Sequence, residues 1–213
     1  MSLSLLLPLL RLLLTDHYRE PTRVRSWPPD ETVMPSVKPS YGSGIMRQVE
    51  TEKVLCALKQ HRNEGSHVDS RLLREVQAPG ELYLFAIREA TDFLRLVWQS
   101  IDHARPLVPV HQPRTLRDCA FRLAAFDWRF DKLVQAGYSW FSRCADIDSA
   151  FDYSRFGWIA LTACKPSEQQ EAPLGTYYVY DGVHKSIVLA KKILRNEVIY
   201  KPLEVLFLTP RRK

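Results

Sequence analysis

The chain has 213 residues, with 30 Lys and Arg against 24 Asp and Glu, a formal net charge of +6 and 46% hydrophobic residues. That length and apolar content suit one domain, or one domain with an insertion, rather than two large independent ones. Fourteen Pro and eight Gly with no low-complexity run exclude collagen-like and repeat architectures, and six surplus positive charges permit a polyanion partner without requiring one.

Met1–Leu14 contains nine leucines and is followed by the charged run Asp16–Glu20. No basic residue precedes the apolar run, Pro8 and Arg11 interrupt it, and no small-residue cleavage site follows. Residues 1–20 therefore read as a Leu-rich helix for the core or a partner, not as a signal or a membrane anchor. Pro21, Pro28, Pro29, Pro35 and Pro39 then hold the chain extended, with a possible edge strand at Thr32–Pro39. Val49, Val54, Leu55 and Leu58 recur at helical spacing, and Asp69 caps a short helix carrying Leu72, Leu73 and Val76 before Pro79-Gly80.

From Leu82 the apolar residues Phe85, Ala86, Ala90, Phe93, Leu94 and Val97 predict an amphipathic helix. Thr115 with Asp118 forms a variant capping box ahead of a helix whose apolar face runs through Leu116, Cys119, Ala120, Leu123, Phe130, Leu133 and Val134 to Gly137. Trp128, Trp140, Phe141, Phe151, Tyr153, Phe156 and Trp158 crowd the next stretch, and they read as core or partner-facing packing. Tyr177–Tyr180 has strand composition, Ser186–Leu194 reads as a helix and Leu203–Leu208 as a strand, before the basic end Arg211-Arg212-Lys213. Cys56, Cys119, Cys144 and Cys164 lie far apart with no histidine at ligand spacing, which predicts reduced thiols and a cytoplasmic location. His61, His67, His103 and His111 form no metal-ligand pair.

The chemistry concentrates in Asp181-Gly182-Val183-His184-Lys185-Ser186, where a strand turns into a helix. The first N–H groups of a helix have no partner within it, and its dipole favours an anion there. Gly182 permits close backbone approach, Lys185 adds a positive charge, His184 can donate and Ser186 offers a hydroxyl. Asp181 can cap the helix, orient His184, accept from a ribose hydroxyl or hold a metal. The same residues also make an ordinary Asp-Gly turn with a solvated lysine.

With its flanks, Tyr177-Tyr-Val-Tyr-Asp-Gly-Val-His-Lys-Ser-Ile-Val-Leu-Ala190 resembles the strand, D-G-x-H-R, helix signature of the ParB/sulfiredoxin-like superfamily. The strand Leu203–Leu208 is in its expected place, and Ser36–Pro39 with Arg47 and the helix from Glu50 loosely matches the start of that family's domain. The resemblance implies an α+β fold: a small mixed sheet of ParB/sulfiredoxin type formed by residues 21–78 and 174–213, a large aromatic-rich helical insertion at 79–173 and the N-terminal helix. Its members hold a phosphate or nucleotide at that helix start and act in plasmid partition, sulfinic-acid repair, metabolite phosphorylation, and DNA modification and defence. Carried over, Gly182, His184 and Lys185 match phosphate-contacting positions, flanked by Val183 and Ser186. Lys185 stands where Arg is usual, and Val183 replaces the cysteine that sulfinic-acid repair needs.

The expected function is binding of a nucleotide, ATP or CTP, or of a nucleic-acid phosphate, on or beside DNA, with Lys191, Lys192, Arg195, Arg211 and Arg212 as nucleic-acid contacts. Two alternatives stand beside it. One is an interaction subunit with a vestigial pocket, whose N-terminus and aromatic segment bury against a protein partner or a second copy. The other is a Mg²⁺-dependent phosphotransferase or nuclease with His184 and Asp181 as catalytic groups.

Overall fold

The structure, a computed structural model, describes residues 46–63, 70–78, 80–98, 102–108, 114–163 and 177–209. The expected N-terminal helix, the edge strand at Thr32–Pro39 and the basic end Arg211–Lys213 lie outside the described residues. In chain order the elements are β1 (Arg47–Val49), α1 (Thr51–Asn63), α2 (Ser70–Gln77), β2 (Leu82–Ile87), α3 (Ala90–Leu94), β3 (Val97–Trp98) and α4 (Leu116–Arg122). They continue with α5 (Phe130–Gln135), α6 (Ser142–Ser149), β4 (Ile159–Ala163), β5 (Tyr177–Asp181), α7 (Val183–Leu194) and β6 (Leu203–Leu208). Six strands form one mixed sheet in the order β1-β2-β6-β4-β5-β3. β2 pairs antiparallel with β1 and β6, β4 runs parallel to β6 and antiparallel to β5, and β3 is parallel to β5.

Helices cover both faces of this sheet. On one face Val54 and Leu58 of α1 and Leu72 and Val76 of α2 pack on Leu82, Leu84, Ala160, Leu206 and Leu208. On the other, Phe93 of α3, Leu116 and Cys119 of α4, Phe130 of α5, Cys144 of α6 and Ile187 to Ala190 of α7 share a larger core with Phe85, Ile87, Ile159, Leu161, Val179, Val205 and Phe207. The central strands β2, β4 and β6 bury both faces, so their sequences run apolar without alternating.

That explains the main departure from the sequence reading. Leu82–Ile87 is a strand, not the start of a helix, and helix begins only at Ala90. A strand buried on both sides and a buried helix present the same unbroken apolar run, and six residues are too few for the period to separate them. Three strands, β2, β3 and β4, come from the 79–173 segment, which therefore completes the sheet as well as supplying helices. The helix expected to run from Thr115 to Gly137 is two. α4 passes into a 3-10 turn at Leu123–Phe126, and Asp127 and Trp128 then take left-handed backbone (φ 54° and 60°). The chain restarts at Phe130 and ends its second helix before Gly137 (φ 93°).

Thr115 caps α4 as its sequence predicts. Its Oγ1 accepts the Asp118 N–H at 3.1 Å and donates to Asp118 Oδ2 at 2.5 Å, while the residue bridges to Val97 at the sheet edge. Thr115→Ala removes both side-chain bonds and is expected to cost about 1 kcal/mol, read as a lowered urea midpoint with an unchanged m value. Of the thiols, Cys119 and Cys144 are buried and Cys56 is exposed. Burial pushes the Cys119 thiol up to about 12 and the Cys144 thiol up as well, so both are inert as thiolates near neutrality.

Candidate anion site at the start of the last helix

Helix α7 follows β5 without a loop. Asp181 is the last strand residue, in register with Ala160 of β4, and Gly182 is the N-cap with φ 83° and ψ 20°. That left-handed conformation lets the chain reverse from strand into helix in one residue, and glycine alone adopts it without strain. A second constraint acts at the same position. A Cβ on Gly182 would lie 2.8 Å from Lys185 Cε and 2.9 Å from Ile159 Cγ2, so the backbone approaches its neighbours more closely than any side chain permits. Asp181 to Lys185 are all partly exposed, and the next residue, Ser186, is completely buried. Among the described residues the Ser186 hydroxyl finds no hydrogen-bond partner.

The sequence reading aims Lys185 at an anion, and the structure commits it elsewhere. Its Nζ donates to the Phe156 carbonyl at 2.7 Å and, more closely still, to the Trp158 carbonyl. The ammonium also stands over the Phe156 ring, 5.2 Å from its centroid. Burial pulls the ammonium down to about 8, partly offset by the charge of Asp181. The stem curls back past Gly182 because the segment before β4 offers two carbonyls at the end of its reach, and an ammonium leaving water needs such acceptors. A bound anion gains this charge only by drawing the lysine off those carbonyls.

His184 is placed by stacking. Its ring lies 4.0 Å from that of Trp140 at an interplanar angle of 22°. Trp140 in turn lies 5.3 Å from the ring of Trp98. Trp158, beside the same junction, donates its indole N–H to Glu204 Oε2 at 2.7 Å, which fixes the indole across the start of β4 and β6.

The residues assigned to nucleic-acid contact fare differently. Lys191 is buried at 6% exposure, ion-paired with Asp148 of α6 at 2.5 Å and set over the Phe130 ring. Lys192 reaches Asp148 at 3.1 Å and Glu197 at 3.3 Å, and stands over the Phe151 ring. Arg195 pairs with Glu197 at 2.5 Å and covers Trp128. α7 is wrapped by α4 and α6, and its C-terminal cations fasten it to that layer rather than forming an open basic face. Glu197 and Glu204 are likewise engaged, with these cations and with Trp158, and among the described residues no three His, Cys, Asp or Glu side chains converge on a metal position.

No family model, curated protein or solved structure matches the chain. The structure brings Asp181, Gly182, Val183, His184, Lys185 and Ser186 together at one helix start, as their adjacency requires. It adds Trp140, Phe156 and Trp158 there, and sets Asp148 against Lys191 and Lys192 further along α7, none of which the sequence connects with the motif. Two of those act through main-chain carbonyls, for which no sequence signal exists, whereas Trp140 lies in the aromatic run that was read as packing.

Proposed function

We propose that the chain is a ParB/sulfiredoxin-like protein that binds a phosphate-bearing ligand, a nucleotide such as ATP or CTP, at the β5–α7 junction, on or beside DNA in a modification, defence or partition setting. The observation that carries the ligand reading is Gly182: a left-handed glycine caps a 12-residue helix directly off a strand, leaving the partly exposed first turn without a side-chain cap of its own. Amide N–H groups at such a start converge on one point and carry the positive end of the helix dipole. Lys185, held within its own stem length, adds a charge that a phosphate can recruit. The DNA setting comes from the family likeness, since the cations of α7 are paired within the protein.

Lys185 also favours a second reading, in which the pocket is vestigial and the lysine has become a structural tie in an interaction subunit.

Calorimetric titration of CTP, ATP and a short DNA duplex against the wild type and Lys185→Gln separates these readings. The glutamine amide keeps two N–H donors on a stem one atom shorter and loses the charge, and an unchanged far-ultraviolet spectrum verifies the fold before titration. Nucleotide binding is expected in the wild type, weakened about tenfold by the substitution, as for one charge-assisted contact. Absence of heat with every ligand would leave the vestigial pocket as the better account.

A further inference from the structure

We draw no further inference here: the strongest candidate, the surface patch where the exposed Phe121 of α4 meets Trp128 edge-on at 6.1 Å, is a single aromatic pair, and nothing in the structure shows what covers it.

Discussion

Gly182→Ala is expected to destabilise the protein by about 2–4 kcal/mol, a large effect for the addition of one methyl group. Two costs add at this position. Left-handed backbone at φ 83° costs an alanine about 1–2 kcal/mol whatever surrounds it. The new Cβ then meets Ile159 Cγ2 at 2.9 Å and Lys185 Cε at 2.8 Å. The isoleucine is buried in the core beside β5 and cannot withdraw, and the lysine can withdraw only by giving up its two carbonyls. Gly137→Ala supplies the control within the same molecule. Gly137 also has positive φ, at 93°, but nothing lies within 4 Å of its Cβ position, so it pays for backbone alone and should lose about 1–2 kcal/mol. The difference between the two variants in urea unfolding measures the close approach at the α7 start. Equal losses would mean that neither Lys185 nor Ile159 lies against Gly182 as described. Adding Lys185→Ala to Gly182→Ala removes one of the two obstructions, so part of the loss should return, and the pair should be non-additive.

The same junction shows which parts of the molecule were legible in the sequence. β5 and β6 were read nearly to the residue, and α7 to its end, though it starts at Val183 rather than Ser186: Tyr177–Tyr180 is rich in β-formers, the apolar positions of 187–194 repeat at helical spacing, and Leu203–Leu208 is bounded by Pro202 and Thr209-Pro210. α1 and α2, amphipathic helices covering the far face of the sheet, were visible from Val54, Leu58, Leu72 and Val76, but Val49, which shares their spacing, ends strand β1 and pairs with Leu82 instead. β2 was misread for the reason that makes it central: covered on both faces, it shows neither period. The break after Phe126 is made by Asp127 and Trp128: aspartate tolerates left-handed backbone but is also common within helices, and nothing in a tryptophan side chain announces that conformation. At the site, the types and adjacency of Asp181 to Ser186 were legible, but the destination of Lys185 was not. It depends on where β4 brings the carbonyls of Phe156 and Trp158, a matter of sheet pairing between segments about 27 residues apart.

Asp148→Ala is expected to cost about 3–5 kcal/mol, as much as any single change outside the core rings, since it strands Lys191 in the interior. Asp148 side-chain exposure is 18% and that of Lys191 is 8%, so water cannot replace the lost carboxylate without opening the α6–α7 contact. Lys192, at 13%, loses one of its two acidic partners at the same time and keeps Glu197. Removing both ends of the buried pair should be far milder. Asp148→Leu with Lys191→Met leaves no uncompensated charge and preserves the packing of the stem over Phe130, so the double variant should be within about 1–2 kcal/mol of wild type. A double-mutant cycle by chemical unfolding reads the coupling directly, and additivity of the two single losses would show that the pair is not formed. These variants bear on function as well as stability. Were the lysines of α7 docked on DNA, Lys191→Met and Lys192→Met would weaken duplex binding and flatten its salt dependence by about one unit each. With both ammonium groups paired to Asp148, the expected result is the reverse: lower unfolding midpoints, while any duplex affinity and its salt slope stay at their wild-type values. Such a pattern would assign the charge of this helix to holding the segment that carries Trp140 against the helix that carries His184, and so to keeping the proposed site assembled.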